Sequence, residues 1–293
     1  MIKLVLKFNF KKIKNMKTKK ILFGMMLALF FFSSCNNDSK DNASDLTAEE
    51  TDVNAKIDMI TDDVSKIVED QLTSQINGGG RMLLPGRFLP DCVTLTNTIA
   101  GSTWTRTVDF GTTGCALKNG NILKGKIIVS GSIDLNKTAL TINYSFVDFY
   151  HNAKLIKGNK TVVISQKSTS TNQIHPVATM TLDMTVTFPN GNVYTRVGTR
   201  IREMVEGIDT PSVWLDNVFL ITGNWTTTLP NGSTQTSTIT TPLKIRMNCN
   251  YIVSGVLAFT RNNNTAILDY GIDNGCDNQA TATINGVTYT ITL

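Results

Sequence analysis

The chain has 293 residues, 28 Lys and Arg against 23 Asp and Glu, and 41% hydrophobic residues. Eight of the lysines and none of the acids lie in residues 1–34, so residues 35–293 hold 20 bases against 23 acids, a balance of about −3. The basic balance therefore gives no support to a nucleic-acid partner, and residues 35–293 suffice for one large β domain or two smaller ones.

Residues 1–34 read as a targeting segment. Met16-Lys17-Thr18-Lys19-Lys20 is a basic start, better placed than Met1, and residues 1–15 precede it. Ile21 to Phe32 is an apolar run too short to span a bilayer. Phe32-Ser33-Ser34-Cys35 follows, with small residues directly before a cysteine. That pattern resembles a bacterial lipoprotein cleavage site, which implies that Cys35 is the lipidated first residue of the mature chain. A membrane partner through the lipid, and an outer-membrane address facing the periplasm or the cell surface, are expected.

Residues 35–45 read as a polar tether. Thr47-Ala48-Glu49-Glu50 fits a capping box, in which the Thr and Glu side chains satisfy free backbone donors. A helix is predicted over residues 46–76. Val53, Ile57, Ile60, Val64, Ile67 and Gln71 follow a 4-3-4-3-4 spacing and form one stripe. The stripe suits docking on the domain; fewer than four heptads is short for a coiled-coil stalk. Gly78-Gly79-Gly80 ends the helix and lacks the Lys-Ser/Thr of a phosphate-binding loop.

From residue 92 to 293 the pattern is β. Runs rich in Val, Ile, Thr and Tyr alternate with Gly, Asn and Pro turns: residues 126–135, 139–149, 161–166, 178–188, 193–203, 218–229, 237–247 and 252–260. Phe188-Pro189-Asn190-Gly191 and Leu229-Pro230-Asn231-Gly232 share one turn chemistry. Asn285-Gly286 suits a type I′ turn and pairs Ile284 with Val287, Ala282 with Tyr289 and Ala280 with Ile291 on one apolar face. Ten to thirteen antiparallel strands are predicted, in a mainly β fold: a curved sheet, sandwich or incomplete barrel with one N-terminal helix.

Two stretches look alike. Cys92, Val108-Asp109-Phe110-Gly111, Gly114-Cys115 and Asn119-Gly120 match Cys249, Leu268-Asp269-Tyr270-Gly271, Gly275-Cys276 and Asn285-Gly286 in order. An internal duplication near residues 92–125 and 249–293 is expected. Four cysteines allow three pairings. Export to an oxidising compartment favours disulfides, and the duplication favours Cys92–Cys115 with Cys249–Cys276.

Catalytic types are few. His151 and His175 are the only histidines, and no nucleophile or zinc-ligand spacing occurs. No catalytic residue is assigned and no cofactor is implied beyond a Ca²⁺ candidate. Asp269, Asp273 and Asp277, with Asn274 and Asn278, could supply oxygen ligands to Ca²⁺, or serve turns. Tyr144, Phe146 and Tyr150 alternate on one strand face, with Phe149 on the other and Trp214 nearby; exposed, they would stack on a sugar ring or a protein partner, and buried they are core. Asp148, Glu203, Glu206 and Asp216 are the carboxylates a carbohydrate-active enzyme would pair.

Val108-Asp109-Phe110-Gly111, Gly114-Cys115, residues 124–129 (Lys-Gly-Lys-Ile-Ile-Val), residues 148–152 (Asp-Phe-Tyr-His-Asn), residues 252–255 (Ile-Val-Ser-Gly), Asp269-Tyr270-Gly271 and Cys276-Asp277-Asn278 resemble a group of uncharacterised Bacteroidetes-type exported lipoproteins. The likeness covers most of residues 92–293. It implies an envelope lipoprotein and transfers no catalytic residue. Three expectations follow: a non-enzymatic binding or structural module, a carbohydrate-active enzyme, or a carrier of lipid or another apolar ligand in an incomplete barrel.

Overall fold

The computed structural model describes residues 46–77, 89–134, 138–170, 172–210, 213, 215–272 and 275–293. One helix, α1 (Ala48–Asn77), precedes fourteen strands. The first five are β1 (Thr94–Ala100), β2 (Thr103–Asp109), β3 (Cys115–Ala116), β4 (Ile122–Ser132) and β5 (Ala139–His151). Then come β6 (Lys154–Lys167), β7 (His175–Thr187), β8 (Val193–Glu206), β9 (Val218–Thr228) and β10 (Thr234–Arg246). The last are β11 (Ile252–Arg261), β12 (Asn264–Asp269), β13 (Gln279–Ile284) and β14 (Val287–Thr292).

Every strand pairs antiparallel with its neighbour in sequence, except that β2 pairs β4 directly and β3 is a short addition to β4. The result is one open, curved, mainly β sheet with edges at β1 and β14, and it does not close into a barrel. Short hairpin turns force this order, because consecutive strands joined by a few residues have no freedom to pair elsewhere.

The turns follow their predicted chemistry. Phe188 N–H donates to Asn192 O, Gly191 N–H to Phe188 O, and Asn192 N–H to the Asn190 side chain. Leu229, Gly232 and Ser233 repeat the set with Asn231. Leu117, Gly120 and Asn121 repeat it a third time around Asn119, with Lys118 where the other two have Pro. The closing hairpin has the predicted register, Ile284↔Val287, Ala282↔Tyr289 and Ala280↔Ile291. Asn285 and Gly286 take φ of 50° and 78°, as a type I′ turn requires.

The capping box forms: Glu50 N–H donates to Thr47 Oγ1 at 3.1 Å and Thr47 N–H to Glu50 Oε2 at 3.2 Å. The helix runs close to its predicted bounds, but its setting is deeper than one stripe implies. Val53, Ile57, Ile60, Val64, Ile67 and Gln71 are buried, and so are Asp58, Asp62, Asp63, Lys66 and Asp70 on its other sides. The curved sheet wraps the helix, and the inner-face residues Trp104, Ile127, Leu182, Trp225, Leu257 and Leu268 join its apolar positions in a single core.

Curvature has identifiable sources. Gly125 in β4, at φ 77°, lies so close to the Asp148 carbonyl that a Cβ there would meet the oxygen at 2.0 Å. Facing it, β5 carries a bulge with Asp148 at φ 45°. An extra residue of this kind bends the strand and increases its twist.

Both disulfides form as the duplication favoured, Cys92–Cys115 and Cys249–Cys276. The two look-alike stretches share a hairpin, β1–β2 and β11–β12, followed by the same turn. Asp109 Oδ1 accepts from Gly111 N–H at 2.9 Å, and Asp269 Oδ1 from Gly271 N–H at 2.8 Å. They diverge beyond it. Phe110 N–H donates to Gly125 O of the following strand, whereas Tyr270 N–H donates to Gly255 O of the preceding one.

Candidate functional site

The densest chemistry among the described residues is the seam between α1 and the inner face of the sheet. Its sequence origin is simple: α1 holds eight acids and two lysines, while β8 alone turns Arg196, Arg200 and Arg202 inward on alternate positions. Asp58 Oδ1 accepts from Arg196 Nη1 and from Arg200 Nη2, both at 2.6 Å, and the Tyr270 hydroxyl donates to Asp58 Oδ2 at 3.3 Å. Arg196 also donates to the Asn54 side chain at 2.7 Å. The Arg200 and Arg196 guanidiniums lie 4.4 and 5.2 Å from the Trp225 ring centre, where the ring face attracts cations.

One turn along α1, Asp62 lies 2.9 Å from Lys66 and 3.4 Å from Arg202. Burial pushes the Asp62 carboxyl up, but Lys66 and Arg202 outweigh it and hold it below its ordinary value. Arg202 Nε lies 3.0 Å from Glu69. There burial wins over the Arg202 charge and raises the Glu69 carboxyl to about 7. Lys66 Nζ donates to the Cys249 carbonyl at 3.2 Å, tying the helix to the second disulfide.

On another side of the helix, Asp63 accepts from His151 Nε2 at 2.8 Å, from Asn119 at 2.9 Å and from Asn121 at 2.8 Å. Arg106 donates to Gln71 and Gln75 near the helix C-terminus, and Arg261 forms a two-pronged pair with Glu50 near its start. Lys160 is the exception. It is buried without a hydrogen-bond partner among the described residues, with its amine 5.8 Å from the Tyr144 ring. Burial, and then Arg200 and Arg196, depress it to about 7.

These contacts leave little room. Glu69, Tyr144, Met180 and Arg202 line a cavity of about 20 Å³ beside α1, about the space one water needs. An open groove of about 300 Å³ is lined by Ser, Thr, Asn, Gly, Ala and Leu residues on and beside β2, β4 and β5. Among the described residues it has neither an aromatic platform nor an ionisable side chain.

The residues singled out in the sequence fall elsewhere. Tyr144 is buried and turns inward, with its hydroxyl 3.7 Å from Met180 Sδ. The expected face-sharing of Tyr144, Phe146 and Tyr150 is corrected by the Asp148 bulge. The extra residue shifts the alternation, so Phe149 stacks on Phe146 at 5.2 Å and His151 reaches Asp63, while Tyr150 points the other way. Trp214 and Asp273 lie outside the described residues, as do Cys35 and residues 1–45.

Asp269 and Asp277 each accept from the backbone N–H two residues on, the turn role. Among the described residues no group of three or more His, Cys, Asp or Glu is placed to hold a metal.

Asp148 lies apart from Glu203, Glu206 and Asp216, which sit at the end of β8 or in its connection to β9. Phe149, next to Asp148 in the bulge, aligns through Ile156 of β6 and Val186 of β7 with Tyr194 of β8, nine residues from Glu203 on that strand, roughly 30 Å along the strand direction. Glu203 accepts from His175 at 2.9 Å and from Thr169, pinning the β6–β7 loop to β8. Asp216 accepts from Thr210 at 2.6 Å, and Glu206 is exposed at the end of β8.

Nothing local in the sequence marks Arg196, Arg200 and Arg202 as buried, so no single stretch reveals the seam. The available signal was their spacing: cations at alternate positions of a strand share one face, and β8 is a central strand. Compared with known protein families, curated proteins and solved structures, the chain matches none.

Proposed function

We propose that the chain is an exported envelope protein, lipid-anchored through Cys35, that works as a non-enzymatic binding or structural module. The observation that carries the proposal is the occupied concavity. The face on which a curved sheet would enclose a ligand is filled by its own helix, fixed through Asp58 and Asp62 to β8, through Asp63 to β5 and through Glu50 to β11. Such a molecule offers its convex surface, its loops and its sheet edges. The two disulfides agree with an oxidising compartment. The cavity of about 20 Å³ weighs against an apolar-ligand carrier in this state, and the engagement of Glu203 by His175 and Thr169 and of Asp216 by Thr210 weighs against a paired-carboxylate hydrolase.

Two experiments test it. Cys35→Ala should release the protein from the membrane fraction of an expressing bacterium; retention there would refute the anchor. A glycan and polysaccharide array with product analysis should show binding without cleavage or no binding at all. Cleavage of any glycan would overturn the non-enzymatic reading.

A further inference from the structure

The sheet ends on β14, whose sequence Val287-Thr288-Tyr289-Thr290-Ile291-Thr292 contains no charge and no proline. Edge strands are normally blunted by such residues, because their unpaired N–H and C=O groups template pairing with another chain. Among the described residues this edge is open. β14 pairs only with β13 among the described residues. Val287 and Tyr289 are 53% and 42% exposed.

The hairpin register decides which groups face outward. Ile284 and Val287 flank a two-residue turn and so form a hydrogen-bonded pair. Alternation then directs the backbone groups of Val287, Tyr289 and Ile291 toward β13, and Leu293 N–H continues the series by donating to Asn278 O at 2.8 Å. The groups of Thr288 and Thr290 point away from the sheet.

We infer that a second copy of this chain pairs with β14 through its own β14, antiparallel about a two-fold axis at Tyr289. The strand is self-complementary in that register. Thr288 meets the partner's Thr290, and both pairs present their outward N–H and C=O groups to each other. Tyr289 meets its own counterpart in a non-hydrogen-bonded position, where Cα atoms lie about 4.5 Å apart. Val287 meets the partner's Ile291. One face of the new ladder is apolar and aromatic and the other is threonine, so both faces match. The interface is isologous and closes at two copies.

The opposite edge fits the role less well. β1 has Asn97 at the middle of its inner face, already engaged within the chain. Pairing β1 with β14 of another copy would be head-to-tail and would not close. The inference does not rest on the lipid anchor.

The test uses the full chain with its own leader. Light scattering after size exclusion should find a dimer. Thr290→Pro removes one outward N–H and no bond to β13, so it should leave the circular dichroism spectrum unchanged and weaken the dimer by about tenfold or more.

Tyr289→Cys should give a disulfide-linked dimer on non-reducing gels, above the wild-type background from Cys35. Thr288→Cys, which faces the partner's Thr290, should not. A monomeric full chain would overturn the proposal, including one that is monomeric while residues 41–293 alone pair, which would assign the edge to the chain's own first 40 residues. A dimer indifferent to Thr290→Pro, or open-ended oligomers, would overturn it as well.

Discussion

Asp58 of α1 and Arg196 of β8, 138 positions apart in sequence, meet at 2.6 Å inside the sheet. The contact fixes the middle of the helix to the middle of the sheet. Arg200 shares the same carboxylate oxygen. Replacing Asp58 by Ala would leave two guanidiniums buried without their counter-charge. A loss of about 3–5 kcal/mol is expected, the range for breaking a buried pair by removing one partner. Chemical denaturation measures it, and a loss below about 1 kcal/mol would mean that the helix is held by its apolar contacts alone.

Lys160 makes the opposite prediction. Its amine is buried beside Arg196 and Arg200 and gains no hydrogen bond among the described residues. Lys160→Met keeps the length of the side chain and removes the charge. It should stabilise the protein at neutral pH by roughly 1–3 kcal/mol. A destabilised variant would show that the amine has a partner, such as a bound anion.

The same two groups shape the pH dependence. The Glu69 carboxyl is raised to about 7 from its ordinary 4.5, so its contribution is present below pH 4.5 and is lost as pH rises toward 7. The Lys160 amine is lowered to about 7 from 10.5, so the unfolded chain holds that proton more tightly. Its penalty is full at low pH and fades as pH rises from 7 to 10.5. Together they place a minimum in their joint contribution near pH 7. Melting temperatures across pH 4–10 should show Glu69→Gln removing the acid-side slope and Lys160→Met the alkaline-side slope. Unchanged slopes in both variants would refute the assignment.

The disulfides close loops with sequence separations of 23 and 27 residues. Replacing either pair by serines should cost roughly 3 kcal/mol. Peptide mass mapping of oxidised protein should recover only these two pairings. A crossed pairing would contradict the shared hairpin-and-turn plan of the two look-alike stretches.

Gly125→Ala should be costly at a position that a sequence reader would pass over. A Cβ there meets the Asp148 carbonyl, and the backbone has positive φ. The β5 bulge would have to move, and with it His151 and its bond to Asp63. A loss of about 2 kcal/mol or more is expected, with the Asp63 contacts disturbed in amide hydrogen exchange.

By itself, the sequence determined the elements whose causes are local. The capping box set the start of α1, the Asn-Gly turn set the register of β13 with β14, and alternating Val, Ile and Thr marked most strands. Short hairpins then left neighbouring strands no choice of partner. The cysteine pairing was legible because two stretches repeat the same order of residues.

Only the tertiary structure decided what the concavity holds. Asp58, Asp62 and Asp63 look like the solvated side of a helix until Arg196, Arg200, Arg202 and His151 arrive from strands about 90 to 140 positions away. Opposite charges attract at any sequence separation, and no local pattern records it. The Asp148 bulge is a similar case. One added residue reverses every side chain after it, turning Phe149 and His151 inward and Tyr150 outward. Local patterns therefore gave the strands, while long-range charge pairing and a single bulge decided which side chains the helix meets.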